Sequence, residues 1–215
     1  VPSYSSELVN GKQRSQKFAN EIFNLLFIAL LFIVFIVEIF MPGFVFIIAP
    51  GFNENLDKLD LTIALTRITF PFLLFVSLAS FFSAILNSHN NFAAAAAAPI
   101  ILNILLIIIL LFGNDLDDQL VFYLSYVVTL AGLLQLFFLI YYARKFYIPK
   151  FSLKININSK VKLFFKKLLP SIFSSSVTQI NILVGTIIAS FQANAVSYLY
   201  YADRIYQINL AIAGI

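Results

Sequence analysis

Long apolar runs divided by short polar clusters organise this chain. A helix crossing about 30 Å of hydrocarbon needs roughly 20 apolar residues. Six runs reach that length: Phe18 to Ile48, Leu61 to Leu86, Phe92 to Phe112, Gln119 to Tyr142, Leu168 to Gln192 and Ala195 to Ile215. Between them, Ala49-Pro50-Gly51-Phe52-Asn53, Asn87-Ser88-His89-Asn90-Asn91 and Gly113-Asn114-Asp115 are turn-forming clusters. A longer connection, Ala143 to Lys167, contains Pro149 and alternates apolar and polar residues around Phe151 to Ile157. It ends in an amphipathic stretch, Val161 to Leu169, expected to lie on the membrane surface. The pattern predicts an all-α fold, a polytopic transmembrane helix bundle of six spans. Val1 follows no signal-peptide pattern, and Ala211 to Ile215 stop inside an apolar run, so an internal piece of a longer protein is expected.

Composition agrees with the pattern. The chain is 61% hydrophobic and 11% charged, where a soluble domain is about 45 to 50% apolar and about 25% charged. It has no cysteine, so neither a disulfide framework nor a thiolate metal site can be proposed. A formal net charge of +4 over 215 residues is too small to suggest a nucleic-acid surface.

The placement of the charges says more than their sum. Lys12, Arg14 and Lys17 precede the first span, and the long connection holds Arg144, Lys145, Lys150, Lys154, Lys160, Lys162, Lys166 and Lys167. The alternate loops hold only Lys58, among Glu54, Asp57 and Asp60, and then Asp115, Asp117 and Asp118. Cytoplasmic loops carry the excess of Lys and Arg. The residue 1 end and residues 144–167 are therefore expected in the cytoplasm, with the acidic loops outside.

Ionisable side chains at membrane depth are costly, so each is a site hypothesis. Glu38 comes late in the first span, before Pro42 and Gly43, and is read as lying at the outer interface. Arg67 lies about two turns into the second span, where it could snorkel outward or serve a cavity. Asp203 and Arg204 lie about two turns into the last span beside Tyr198, Tyr200, Tyr201 and Gln207. Helical spacing puts Tyr200, Asp203 and Gln207 on one face, with Arg204 one turn after Tyr200. In the preceding span Ser174, Thr178, Asn181 and Gly185 draw a small and polar stripe, which would serve helix packing or line a cavity. Arginine is suited to bidentate contact with phosphate, so an anionic head group would fit Arg204.

Other chemistry is thin. Asp115-Leu116-Asp117-Asp118 pairs carboxylates but is read as a solvated acidic turn, and His89 as a solvated turn residue without a second ligand. The run Ala93 to Ala98 is read as allowing close helix contact. With no glycine-rich phosphate loop, no nucleophile paired to a histidine and no metal cluster in the sequence, no catalytic residue, metal or cofactor is expected.

Several runs occur together: Ala49-Pro-Gly-Phe52, Leu65-Thr-Arg-Ile-Thr-Phe-Pro71, Ile85-Leu-Asn-Ser88, Asn91-Phe-Ala93 through Ala98-Pro99, Leu102-Asn-Ile104 and Tyr200-Tyr-Ala-Asp-Arg204. In order and spacing they resemble the bacterial lipid II flippase family, called MurJ or MviN, of the multidrug and oligosaccharidyl-lipid exporter superfamily. The resemblance implies a fourteen-helix bundle of which this piece is the third to eighth helices. Residues 1–143 would be four helices of the amino-terminal lobe, 144–167 the basic cytoplasmic connection, and 168–215 the first two helices of the carboxy-terminal lobe.

It further implies an inner-membrane protein of peptidoglycan synthesis that moves lipid II, an undecaprenyl-pyrophosphate-linked precursor, to the outer leaflet by alternating access. Cell-wall synthesis proteins are then candidate partners. Asp203 and Arg204 match the family's Asp-Arg pair, and Arg67 a basic position of the motif. An acidic residue common one turn after the arginine is Gln207 here. Ser174, Thr178, Asn181, Tyr200 and Gln207 are the further candidate cavity-lining residues. A polysaccharide-lipid or drug and cation exporter of the same superfamily, or a non-transporting membrane scaffold, also fits the spans and polar stripes.

Overall fold

The computed structural model describes residues 1–113, 119–152 and 159–213. In order the elements are α1 (Pro2–Val9), α2 (Lys12–Ile39), α3 (Met41–Ile48), a 3-10 turn (Pro50–Glu54), α4 (Leu56–Thr69), α5 (Phe72–Ser88), α6 (Phe92–Phe112), α7 (Leu120–Ala143), α8 (Ser159–Ser190) and α9 (Ala195–Ala213). No strand occurs among the described residues, as the all-α reading requires. Five stretches are long and apolar enough to cross a membrane: Lys12–Ile39, Leu56–Ser88, Phe92–Phe112, Leu120–Ala143 and Val161–Ala189. The sixth expected span is helical as α9 but falls outside that set, because Asp203, Arg204, Gln207 and Asn209 dilute its apolar content. The amphipathic stretch Val161 to Leu169 runs without a break into the following span as part of α8. The acidic run at 115–118 lies outside the described residues.

Two expected spans are each divided by a proline. Pro42 has no N–H to give the Glu38 carbonyl, and the helix breaks at Phe40 into α2 and α3. Phe70 and Pro71 likewise separate α4 from α5. Lipid offers no donor for carbonyls freed by such a break, so protein must supply one. Here the Thr129 hydroxyl of α7 donates to the Ile68 carbonyl. Pro99 and Pro170, by contrast, lie within α6 and α8 without ending them.

The Asn87–Asn91 cluster closes α5 as a Schellman motif. Asn91 N–H donates to the Leu86 carbonyl at 2.9 Å and Asn90 N–H to the Asn87 carbonyl at 3.2 Å. Asn90 takes the left-handed conformation this requires, φ 58°.

The chain forms two compact units, the first comprising Val1–Ile39 and Leu65–Leu168. In it α7 packs along α5 and α6, and α2 along α5, around Phe18, Phe23, Leu78, Phe82, Ile85, Leu86, Leu139 and Tyr147. Ala94 and Ala98, one turn apart in the alanine run, are buried, consistent with close helix contact. Gly132 lets α7 and α5 approach: a Cβ there would lie 2.5 Å from Phe72 Cδ2 and 3.2 Å from Phe75 Cβ.

His89 is not the solvated residue its polar turn suggested. Its ring stacks on Phe146 with centroids 4.2 Å apart, and the Tyr4 hydroxyl lies 3.3 Å from Nε2. Helix α1, which brings Tyr4 there, is too short for a periodic signal, although Pro2 at its start and Gly11 just beyond its end mark it. The second unit comprises Phe40–Ala64 and Leu169–Ile215. Within it Gly51 N–H donates to the buried Ser190 Oγ at 2.9 Å, and a Cβ on Gly51 would run into the Ser190 backbone. Ser190 Oγ in turn donates to the Ile187 carbonyl at 2.7 Å.

Two outcomes are expected. Gly132→Ala overpacks the α5–α7 contact and lowers stability by about 1–3 kcal/mol, measured by unfolding in mixed micelles; adding Phe72→Leu restores part of the loss. Burial, and then the field of Lys12, hold the His89 imidazole below its ordinary value. The unfolded chain takes up that proton near pH ~6.5 and the folded chain only at lower pH. The site's contribution to stability is therefore full above about pH 6.5 and declines as pH falls from there. A ring titration of His89 by NMR should give a midpoint below about 6.5, and His89→Phe should flatten the acid limb of the stability curve.

Candidate functional site

The polar groups of α9 form a connected chain on the second unit. Arg204 Nε and Nη2 donate to the Tyr200 hydroxyl at 3.1 and 2.8 Å, and the guanidinium carbon lies 4.9 Å from the Tyr200 ring centroid. Nη1 donates to Gln207 Oε1 at 3.2 Å, and Gln207 Nε2 donates to Asp203 Oδ2 at 2.6 Å. These contacts follow from the i, i+3 and i, i+4 spacings of a helix surface. Asp203 and Arg204, neighbours in sequence, are thus linked through an amide one turn on. Spacing put these residues near one another; the bridging role of Gln207 was not evident from it.

All four side chains are exposed. A helix this polar on one flank cannot turn that flank to acyl chains cheaply, so it calls for water or protein against it. Two of the five guanidinium N–H groups remain unused by these contacts, a number that suits a phosphate edge.

On α8, Ser174, Thr178 and Asn181 are likewise exposed. Gly185, last in their stripe, faces α9, where an added Cβ would sit 3.5 Å from Leu199 Cδ2. That is an ordinary contact distance, and the three polar members lie open along α8.

Arg67 belongs to the first unit, in the last turn of α4 just ahead of the Pro71 break, and is exposed. Since the helix begins at Leu56, Arg67 lies about three turns along it. Its field reaches the Glu38 carboxylate. Glu38 sits at the end of α2 as expected, but its Oε1 is buried and accepts no hydrogen bond. Among the described residues no group of three His, Cys, Asp or Glu side chains is placed to hold a metal.

Comparison with known proteins places the chain in a family. The family model for lipid II flippase MurJ matches residues 1–215. A probable lipid II flippase MurJ of Rickettsia prowazekii (strain Madrid E) is 38% identical over 216 residues, covering 100% of this chain and 42% of that protein. A second, from Rhizobium tropici, is 38% identical over 222 residues, covering 100% of this chain and 41% of that protein. The structure of a lipid II flippase MurJ in an inward closed conformation superposes with a TM-score of 0.74 at 24% identity, covering 96% of this chain and 44% of that one. The chain thus spans about two fifths of the length of the relatives it matches. With the family model covering every residue and five helical stretches long and apolar enough to cross a membrane, this chain is part of a multi-pass membrane protein that belongs to the lipid II flippase MurJ family.

Proposed function

We propose that the protein to which these helices belong moves lipid II, a lipid-linked peptidoglycan precursor, from the inner to the outer leaflet of the bacterial inner membrane by alternating access, and makes no covalent bond. The observation that carries this reading is the exposed Tyr200–Arg204–Gln207–Asp203 chain on α9, in a family whose members bear the lipid II flippase name. A pyrophosphate cannot cross hydrocarbon bare, so a flippase must enclose it in cationic surroundings while the prenyl tail stays in lipid.

In this reading Arg204 is the clamp. Tyr200 and Gln207 hold its guanidinium in place, which reduces the ordering cost of gripping a phosphate edge with the two remaining N–H groups. Asp203 holds Gln207 in position. Ser174, Thr178 and Asn181 would offer neutral hydrogen bonds to the glycan or its water, and Arg67 a second cation on the first unit. The Lys and Arg asymmetry supports an orientation with the residue 1 end and residues 144–167 in the cytoplasm.

In the full-length protein reconstituted in vesicles, Arg204→Ala should slow precursor translocation roughly ten- to a hundredfold, the worth of a charge-assisted contact. Arg204→Lys should recover only part, because an ammonium lacks the bidentate fork. Tyr200→Phe should cost less, since it removes an orienting contact and leaves the charge. Unchanged flipping in Arg204→Ala would remove the proposal.

A further inference from the structure

A second basic site lies on the first unit. One face of the amino-terminal half of α2 (Lys12, Gln16, Lys17, Asn20, Asn24) and the segment after α7 (Arg144 to Ser152) enclose a cavity of about 610 Å³. Lys12, Lys17, Arg144, Lys145 and Lys150 line it, against Glu21 as the one lining carboxylate among the described residues. That volume falls in the range of small-molecule pockets, roughly 300–1,000 Å³. A concave wall of one charge sign focuses the field it makes and concentrates ions of the opposite sign.

A surplus of cations on this side of the membrane has an ordinary cause, the orientation rule. That rule counts charges and demands no geometry. Here the geometry is built. Asn20 Oδ1 accepts from the Tyr147 hydroxyl at 2.6 Å and from Lys150 N–H at 3.1 Å. One turn along, Asn24 Oδ1 accepts from Ser152 N–H and Asn24 Nδ2 donates to the Lys150 carbonyl, both at 3.1 Å. Tyr147 and Asn24 are buried.

Two asparagines thus grip the backbone of a basic segment more than a hundred residues away and fix it across the mouth of α2. Arg144 is steadied by its guanidinium lying 4.1 Å from the Tyr141 ring centroid. Connected polar networks whose members are satisfied hold a single arrangement. What this one holds is the Tyr147 to Ser152 segment, which brings Lys150 into a lining of five cations and one carboxylate, a surplus of positive charge that a further anion would offset.

We propose that this cavity is a binding site for a phosphate-bearing anion, of diphosphate size or with several phosphate oxygens, which in the orientation proposed above enters from the cytoplasmic face. Gln13 and Gln16 add neutral hydrogen-bonding groups at its wall. The same chemistry is offered by a soluble diphosphate and by an anionic lipid head group. The site concerns residues other than Arg204 and Arg67, so its fate is independent of theirs.

The test is amine footprinting of the full-length protein, read residue by residue by mass spectrometry. Labelling of Lys17, Lys145 and Lys150 is followed with sodium pyrophosphate against sodium chloride of equal ionic strength in micelles. It is also followed in vesicles of phosphatidylcholine alone against equal parts phosphatidylcholine and phosphatidylglycerol. Lys162 and Lys166 of α8, which do not line the cavity, serve as references.

Protection of the cavity lysines by pyrophosphate, with the references unchanged, establishes the site and a soluble source. Protection only by phosphatidylglycerol establishes the site and a head-group source. Arg144→Gln should then raise the half-protecting concentration about ten- to a hundredfold, and a change below about threefold would overturn the assignment. Equal slowing of cavity and reference lysines, or no slowing in either medium, would overturn it as well.

Discussion

Hydrocarbon offers no hydrogen bonds, and that constraint governs every element of this structure. A backbone group left open in lipid costs far more than one left open to water, so the apolar runs are mainly helical among the described residues. Where a helix breaks in lipid, protein is called on for a replacement partner. The break before Pro71 is the clearest case: the interruption stands opposite a threonine from another span, whose hydroxyl serves the Ile68 carbonyl. The turn after α5 meets the same demand with its own backbone, and Asn90 accepts a left-handed conformation to do so.

The same constraint separates the two halves of the polar inventory. In the first unit polar side chains near the membrane boundary are spent on fixing backbone, as Asn20 and Asn24 do for the segment around Lys150. On α9 the polar side chains bond to one another and leave their outer edges open. A network that is internally tied yet exposed differs from a packing contact, because it keeps hydrogen-bonding capacity in reserve for something outside the helix.

Much of the architecture was legible in the sequence because a membrane span is written in a run of about 20 apolar residues. Span positions, the tight turn at Asn87–Asn91 and the spacing of Tyr200, Asp203, Arg204 and Gln207 all follow from local pattern. What escaped were features set by distant partners. His89 looked solvated because nothing near it in sequence announces Tyr4 or Phe146. The asparagine grip on the basic segment joins residues 126 to 130 apart, and no period connects them. Pro42 and Pro71 divide their helices while Pro99 and Pro170 do not, a distinction the apolar pattern does not carry.

Gln207 gives the α9 network a property that a carboxylate at the same place could not. An amide has no proton to gain or lose between acid and base, so it passes alignment from Asp203 to Arg204 without adding a formal charge. The flank is left with one cation and one anion held at opposite ends of a neutral spacer. A negatively charged visitor therefore meets the guanidinium with its positive charge not directly cancelled, aimed by a group that itself carries no formal charge.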